Sequence, residues 1–422
     1  MLVSNLRKED RGTQVALVAD VECQKFGVLD KEPSKNTIWV SVSKEYEDFL
    51  TTDRYDGFLI ILAYVAMAYG ENVEINGAVS KRLLRNMNTC IQDIFLAYNS
   101  ELQRIKITAK ETTSEIFPTT KHIGTGFSGG IDSFSTIYDN YVLENDPEYK
   151  IDTLFCFNSG THGKFDEKKT MELFESRFEF LKQYTDLVNL PYIRVDTNIH
   201  YYRDMGGKVL VTGDLNLPAI ILCLQRRLKK YYIASCGRNY DKWTKEATKY
   251  RVAEVSKKQR AVTFIQAFAE PYLYSLLSTE TTELILDGMQ YTRTQKTINI
   301  VQYPFTKQFL NVCIKNEPIE KNCGTCPKCA RVGLTLSAIH KLDDYKKVFN
   351  IEAYRKEEYR LMCNAKLSYK NSFFMADIVD FARLHGKKFP NRFICVIVCL
   401  SQKFIHFFRA IIRRISGKIK QL

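Results

Sequence analysis

Between about residues 118 and 340, the pattern of hydrophobic and polar positions alternates between two kinds of segment. Short apolar runs are separated by longer segments whose apolar residues recur at helical spacing. This alternation is typical of a parallel sheet with helices on both faces, so the fold class is predicted to be α/β. Strands are predicted at 122–127, 151–157, 192–195, 231–235 and 283–286, and helices at 167–184 and 217–228.

The first 117 residues have a different pattern and are predicted to form a separate α+β module. We find no reactive group of residues in this segment, so we expect it to pack on the α/β core and shape the mouth of a substrate site. The pattern predicts strands at 14–21, 37–43 and 102–108 and helices at 56–69 and 79–98.

Two further segments follow the α/β core. Residues 341–390 are predicted to be a small helical appendage, and residues 391–422 a basic amphipathic tail. In the tail, the apolar run 393–400 precedes a narrow apolar helical stripe that ends at Leu422, with basic residues opposite. Polar and charged residues interrupt the tail too early for a membrane-spanning helix. We therefore expect residues 393–422 to contact a membrane surface peripherally or to dock on a partner protein.

The charge is concentrated in that tail. The chain has 61 basic and 48 acidic residues, a formal net charge of +13, of which residues 391–422 supply +7. Because the remainder is only mildly basic, a small-molecule substrate is favoured over nucleic acid as the partner. The oligomeric state is left open. Twelve cysteines, most of them scattered, and an N-terminus without a secretory pattern indicate a cytoplasmic location, on the inner face of a membrane if the tail binds lipid.

The segment SGGIDS, residues 128–133, lies between a predicted strand and a predicted helix. Adjacent glycines allow an anion to approach the backbone closely, and the free N–H groups at a helix start favour negative charge. Ser128 and Ser133 add hydroxyl donors on either side. The pattern predicts a phosphate-binding turn, with an ordinary serine-capped turn as the alternative.

SGGIDS resembles the SGGxDS signature of the PP-loop ATP pyrophosphatases, which bind ATP and cleave it between the α and β phosphates. The chain lacks the GxxxxGK[ST] motif of kinases and GTPases. The resemblance implies a PP-loop, HUP-type nucleotide-binding core with Mg²⁺ beside the phosphates. The implied nucleotide contacts are Phe127, Ser128, Gly129, Gly130, Asp132 and Ser133.

The loops after the other predicted strands carry further candidates, because ligands bind at the carboxyl ends of parallel strands. Phe157 and Asn158 end the second strand, at a position that borders the adenine in the resembling family. His162 in the same loop is a candidate phosphate contact or acid–base group, although a solvated histidine is the common case. The remaining candidates are Gly237 and Arg238 after the fourth strand, and Arg293 and Lys296 beyond the fifth.

Four cysteines are spaced C-x9-C-x2-C-x2-C, with Gly324 and Pro327 in the intervening turns. Four soft ligands without an open position suit structural zinc. Unrelated reduced cysteines are the alternative. The predicted ligands are Cys313, Cys323, Cys326 and Cys329.

SGGIDS followed by a four-cysteine cluster is similar to the 7-cyano-7-deazaguanine synthase family, which adenylates a carboxylate and uses ammonia to form an amide and then a nitrile. The chain departs from that family in its N-terminal module, its C-terminal extension and the loop 158–163. The resemblance implies an ATP-dependent ligase that adenylates an oxygen of a small molecule, with Asp132, Ser133, Arg293 and Lys296 as catalytic candidates. The alternatives are a tRNA-modifying sulfurtransferase with a cysteine-bound iron–sulfur cluster and a catalytically silent ATP-binding protein.

Overall fold

A computed structural model describes residues 1–24, 36–99, 101–160, 168–203, 213–236, 239–250, 269–314 and 319–401. Within these ranges the chain is α/β, with a ten-stranded, mostly parallel sheet. The strands are β1 (Leu2–Arg11), β2 (Gln14–Glu22), β3 (Thr37–Ser43), β4 (Val73–Ser80), β5 (Ile107–Thr113), β6 (His122–Gly126), β7 (Thr153–Asn158), β8 (Tyr192–Thr197), β9 (Leu228–Ala234) and β10 (Glu283–Asp287).

The helices lie between and after these strands. They are α1 (Asp56–Tyr69), α2 (Lys81–Asn86), α3 (Gln92–Tyr98), α4 (Ile131–Ile137), α5 (Lys168–Leu187), α6 (Ile199–Arg203), α7 (Gly213–Cys223), α8 (Tyr240–Tyr250), α9 (Glu270–Leu277), α10 (Arg293–Ile300), α11 (Thr306–Phe309), α12 (Pro327–Ala338), α13 (Ile351–Ser368) and α14 (Phe373–Leu384). Short 3-10 helices occupy Lys44–Phe49 and Leu342–Tyr345, and π-helical segments occupy Met87–Ile91 and Tyr138–Leu143.

Five parallel strands form one half of the sheet, in the order β8-β7-β6-β9-β10. The side chains of β7 are buried on both faces, which explains the continuous apolar run in the sequence there. Strand β6, the first of the five in sequence, lies in the middle of this half. Strands β7 and β8 follow on one side of it, and β9 and β10 on the other. This is the strand order of doubly wound folds, whose ligand crevice lies at the reversal, beside the carboxyl end of β6.

The sheet continues into the N-terminal segment. Strand β3 pairs antiparallel with β8, and the order then runs β3-β2-β1-β4-β5. The predicted boundary between residues 117 and 118 falls between β5 and β6, within one continuous sheet. By compactness, the chain divides instead into a unit of residues 1–128 and 132–290 and a unit of residues 129–131 and 291–422.

Within the first unit, helix α1 is buried on all sides: every residue from Asp56 to Ala68 is buried. A helix that is apolar all round belongs inside a protein. Gly57 allows α1 to approach α7 closely, because a Cβ at that position would lie 2.3 Å from the Ala219 carbonyl oxygen. The predicted strand 37–43 and helix 56–69 are confirmed with the same bounds.

Three sequence predictions in the first unit need correction. The helix predicted at 79–98 begins at Lys81, because residues 79 and 80 end β4 and the Ser80 hydroxyl accepts a hydrogen bond from Leu83 N. The strand predicted at 102–108 begins at Ile107, where pairing with β4 starts. The helix predicted at 217–228 ends at Cys223, and Leu228 already belongs to β9. Strands β1 and β4 were not predicted.

The second unit is helical beyond residue 291. Helix α12 packs against α13 and α14 around a small apolar cluster that includes Leu334, Met362 and Val379. Residues 392–401 form a further helix with Phe393 71% and Ile397 52% exposed. The rest of the predicted tail, residues 402–422, lies outside the described residues. Among the described helices, none combines the length and the apolar character needed to cross a bilayer.

Candidate nucleotide and metal sites

Phe127 fixes the start of the SGGIDS turn in the core. Its N–H donates to the Phe155 carbonyl at 2.8 Å, and its carbonyl accepts from the Tyr192 hydroxyl at 2.8 Å. The ring is only 2% exposed and packs on Phe134 and Tyr184, with ring centres 5.0 and 4.9 Å away. Phe127 therefore anchors the turn in the core.

The turn itself has the geometry that the glycine pair suggests. Gly129 has φ +70°, a left-handed conformation that residues with a Cβ adopt at a cost of about 1–2 kcal/mol. Ser128 is exposed and Ser133 is 5% exposed, and their hydroxyl oxygens lie 3.4 Å apart. Asp132 is half-buried in the first turn of α4. Two hydroxyls and the helix start thus gather where the sheet order reverses.

Asn158 ends β7 in a buried polar network that sequence reasoning missed. Its side-chain amide donates to Asp196 Oδ1 at 2.9 Å, and Asp196 Oδ2 also accepts from Gln14 Nε2 at 2.7 Å. Asn158 Oδ1 is buried and has no hydrogen-bond partner among the described residues. Phe157, one position earlier, is half-buried and stacks on Phe155 with ring centres 5.9 Å apart. Asp196 lies near the carboxyl end of β8, where the sheet register pairs it with Asn158. The sequence pattern alone does not identify that partner.

Three predicted nucleotide contacts lie outside the described residues: His162, Gly237 and Arg238. The strand ends that flank their loops are described. At one of them, Ser235 N donates to the Asp287 carbonyl at 2.9 Å, and the Asp287 carboxylate accepts from the Thr136 hydroxyl at 2.6 Å. These bonds connect the carboxyl ends of β9 and β10 with α4.

Arg293 and Lys296 lie on α10 in the second unit, as the helical spacing predicts. The helix begins with a capping box, in which the Thr292 hydroxyl accepts from Gln295 N and the Gln295 side chain accepts from Thr292 N. Lys296 is 0% exposed. Arg293 is half-buried, and its guanidinium carbon lies 4.9 Å from the centre of the Phe374 ring. The two cations therefore differ strongly in access to solvent.

The four predicted metal ligands converge in the second unit. All four sulfur atoms lie within 4.8 Å of one another. The Cys313–Cys326 and Cys323–Cys329 sulfur pairs are 4.0 and 3.9 Å apart. Zinc–sulfur bonds of about 2.3 Å in a tetrahedron place sulfurs about 3.8 Å apart, so the four thiols fit one zinc ion. Ligands of a multi-iron cluster bind separate irons and would lie farther apart.

Local hydrogen bonds shape the sulfur cluster. Cys326 N donates to Cys323 Sγ at 3.3 Å, and Cys329 N donates to Cys326 Sγ at 3.5 Å where α12 begins. The side-chain hydrogen bond with Cys329 lowers the pKa of Cys326 to about 4, and the same bond together with burial raises the pKa of Cys329. A metal ion bound here would displace the remaining thiol protons.

Asn322 holds the two cysteine segments together, and no sequence motif identified it. It is 2% exposed. Its side-chain oxygen accepts from Val312 N at 2.7 Å and Cys313 N at 3.0 Å. Its amide donates to the carbonyls of Leu310 and Val348, each at 2.7 Å. All four hydrogen-bonding positions of the side chain are used, so the backbone beside Cys313 is fixed next to Cys323.

Gly324 lies in the turn between Cys323 and Cys326. Its φ is +78°, and a Cβ there would lie 2.5 Å from the Asn350 carbonyl oxygen. Only glycine fits this position without moving the backbone.

In comparisons with known proteins, no family model, no curated protein and no solved structure matches the chain.

Proposed function

We propose that the protein is an ATP-dependent ligase that adenylates an oxygen of a small molecule, most simply a carboxylate. The observation that carries the proposal is the Ser-Gly-Gly turn at the carboxyl end of β6, where the strand order reverses and a helix begins. This is the position at which open α/β sheets bind phosphate groups. The resemblance of residues 128–133 to the PP-loop signature specifies ATP and cleavage between its α and β phosphates.

The proposed reaction turns a poor leaving group into a good one. An oxygen of the substrate attacks the α-phosphorus of ATP, the bond to the bridging oxygen breaks, and pyrophosphate leaves. Donors from Ser128, Gly129, Gly130 and Ser133 would hold the departing phosphates and strengthen as charge gathers on them. Ammonia or another nucleophile then displaces AMP from the adenylated substrate.

Charge on the phosphates needs compensation. Asp132 is the residue that would hold Mg²⁺, directly or through water, and Mg²⁺ would neutralise phosphate charge. Arg293 and Lys296 are the candidate cations for phosphate or substrate charge.

The cysteine cluster supports a ligase over a sulfurtransferase. Four sulfurs within 4.8 Å of one another suit one ion and leave no open ligand position for sulfur chemistry. We propose that this ion is zinc and that its role is structural. Elemental analysis should find one zinc per chain, whereas iron with sulfide would favour the sulfurtransferase.

We also propose that the tail contacts an anionic membrane surface. The helix 392–401 exposes Phe393, Ile397 and Leu400, and the 21 residues that follow contain six basic and no acidic residues. Apolar side chains next to excess positive charge suit insertion at an anionic lipid surface. A partner protein with an acidic, apolar groove is the competing explanation.

The test of the reaction is product analysis with α- and γ-labelled ATP, with Mg²⁺ and the small-molecule fraction of a cell extract. AMP and pyrophosphate are the expected products. Ser133→Ala and Asp132→Ala should suppress their formation. Ser135→Ala is the matched control, since its hydroxyl lies two positions after Ser133, is buried and has no hydrogen-bond partner in the described part of the chain. ADP and phosphate as products would refute the proposal.

A further inference from the structure

The glycine turn is hydrogen-bonded to the segment that carries the first cysteine of the cluster. Asn311 N donates to the Gly129 carbonyl at 2.7 Å. Asn311 stands two positions before Cys313, and residues 129–131 and 291–422 belong to the same compact unit. The contact therefore lies within the second unit, and it connects the predicted phosphate-binding turn with a predicted metal ligand.

The bond fixes the orientation of one peptide plane in the turn. The peptide between Gly129 and Gly130 is planar and trans, so the Gly129 carbonyl and the Gly130 N–H point in opposite directions. Anchoring the carbonyl on Asn311 N therefore sets the direction of that N–H as well. Adjacent glycines have a wide choice of backbone conformations, and Gly129 holds φ +70°. A hydrogen bond that selects one conformation prepares the turn for an anion.

Asn311 is itself held on both sides by Asn322. The Asn322 side chain accepts from Val312 N and donates to the Leu310 carbonyl, each at 2.7 Å, so it bonds the residues before and after Asn311. The Asn311 side chain donates to the Ile319 carbonyl at 2.8 Å. The N–H of Asn311 therefore has little conformational freedom of its own.

Two of the predicted metal ligands are adjacent to this arrangement. Cys313 follows Val312 directly, and Cys323 follows Asn322. An ion bound by the four sulfurs would therefore join the same two chain segments that the Asn322 side chain connects. Metal binding at a site of this kind is coupled to local folding. Order at the cysteine cluster is thus passed through residues 311–313 to the Gly129 carbonyl.

We infer that Asn311 is a positioning residue, and that metal binding at the cysteine cluster sets the conformation of the Gly129 turn through the Asn311 N–H. The metal ion would then control anion affinity at the turn in addition to its structural role. The inference rests on the proposed function only in taking the anion to be a phosphate group of ATP. Inorganic pyrophosphate has the chemistry of that part of ATP and serves as the probe.

Two substitutions separate the N–H of Asn311 from its side chain. Asn311→Ala loses the bond to Ile319 and keeps the N–H, whereas Asn311→Pro loses both. The preceding residue accepts a proline, because Leu310 is already extended, with φ −61° and ψ 118°. In calorimetric titration of the full-length, zinc-loaded proteins with pyrophosphate, the affinity of Asn311→Pro should be roughly tenfold weaker than that of Asn311→Ala.

Deuterium uptake by residues 128–137 tests the same coupling without a ligand. Uptake should be faster in Asn311→Pro than in Asn311→Ala. Removal of zinc from the wild type by a chelator should also make it faster, and restored zinc should reverse the change. Helix α1 of the first unit and α14 of the second are internal controls, because a general loss of structure would raise their uptake as well. Their uptake should be equal in the two variants.

Equal pyrophosphate affinity of the two variants would overturn the inference, and so would uptake by residues 128–137 that does not respond to zinc removal. The labelled-ATP assay separates this inference from the proposed reaction. AMP formation by a protein whose turn does not respond to zinc would leave the reaction standing while the positioning role falls. Pyrophosphate affinity that depends on the Asn311 N–H, in a protein that converts ATP to ADP and phosphate, would support the positioning role and refute the proposed reaction.

Discussion

Replacing Asn322 by alanine should disrupt the cysteine cluster although no sulfur ligand is changed. The substitution removes the partner of three buried backbone groups: the N–H groups of Val312 and Cys313 and the carbonyl of Leu310. Each unsatisfied buried group costs about 1–3 kcal/mol, so the total is about 3–9 kcal/mol. That is comparable with the whole stability of a typical domain, about 5–15 kcal/mol.

Three measurements on Asn322→Ala test this reasoning: zinc content by elemental analysis, the rate of thiol modification at the four cysteines, and thermal unfolding. We expect lost zinc, faster modification and a lower unfolding temperature. Asn371→Ala is the control, because Asn371 is exposed in the same unit and its replacement should change stability by about 0.5 kcal/mol at most. Full zinc content and an unfolding temperature within about 2 °C of the wild type would show that Asn322 does not hold the site.

Two further predictions concern other parts of the chain. Burial raises the pKa of Asp56 to about 6, so the folded state holds its proton more tightly than the unfolded state and stability should fall as pH rises from about 4 to about 6. The loss is about 3 kcal/mol, and urea unfolding across this range should show a flatter profile for Asp56→Asn. Removing residues 391–422 should abolish sedimentation with phosphatidylserine liposomes at low salt, and a full-length protein that ignores such liposomes would contradict the membrane proposal.

Features encoded over short stretches were predictable from the sequence. The strand 37–43 and the helix 56–69 follow from local periodicity, and the cysteine cluster follows from its spacing. Strand β1 was missed because its apolar pattern breaks at Asn5, which has φ 54° at a shift in the pairing with β2. Strand β4 contains Asn76-Gly77, a pair that usually indicates a turn.

Features that depend on contacts between distant segments were not predictable. The role of Asn322 requires Val348 to lie beside it, and the contact of Arg293 with the Phe374 ring joins two helices that are distant in sequence. Phe127 was assigned to the nucleotide because it adjoins the motif, but its burial places the ring in the core. A residue next to a binding motif can serve the scaffold, and only packing distinguishes the two roles.

The pairing of β3 with β8 has a consequence for how the protein is made. The paired residues Val42 and Val195 are more than 150 positions apart. At a synthesis rate of about 5–20 residues per second, β8 leaves the ribosome on the order of 10–30 s after β3, so one edge of β3 is unpaired during that time. During that interval an apolar strand with unpaired backbone groups is open to association with other nascent chains. Production of this protein should therefore depend on chaperones that cover the N-terminal strands until residue 197 has emerged.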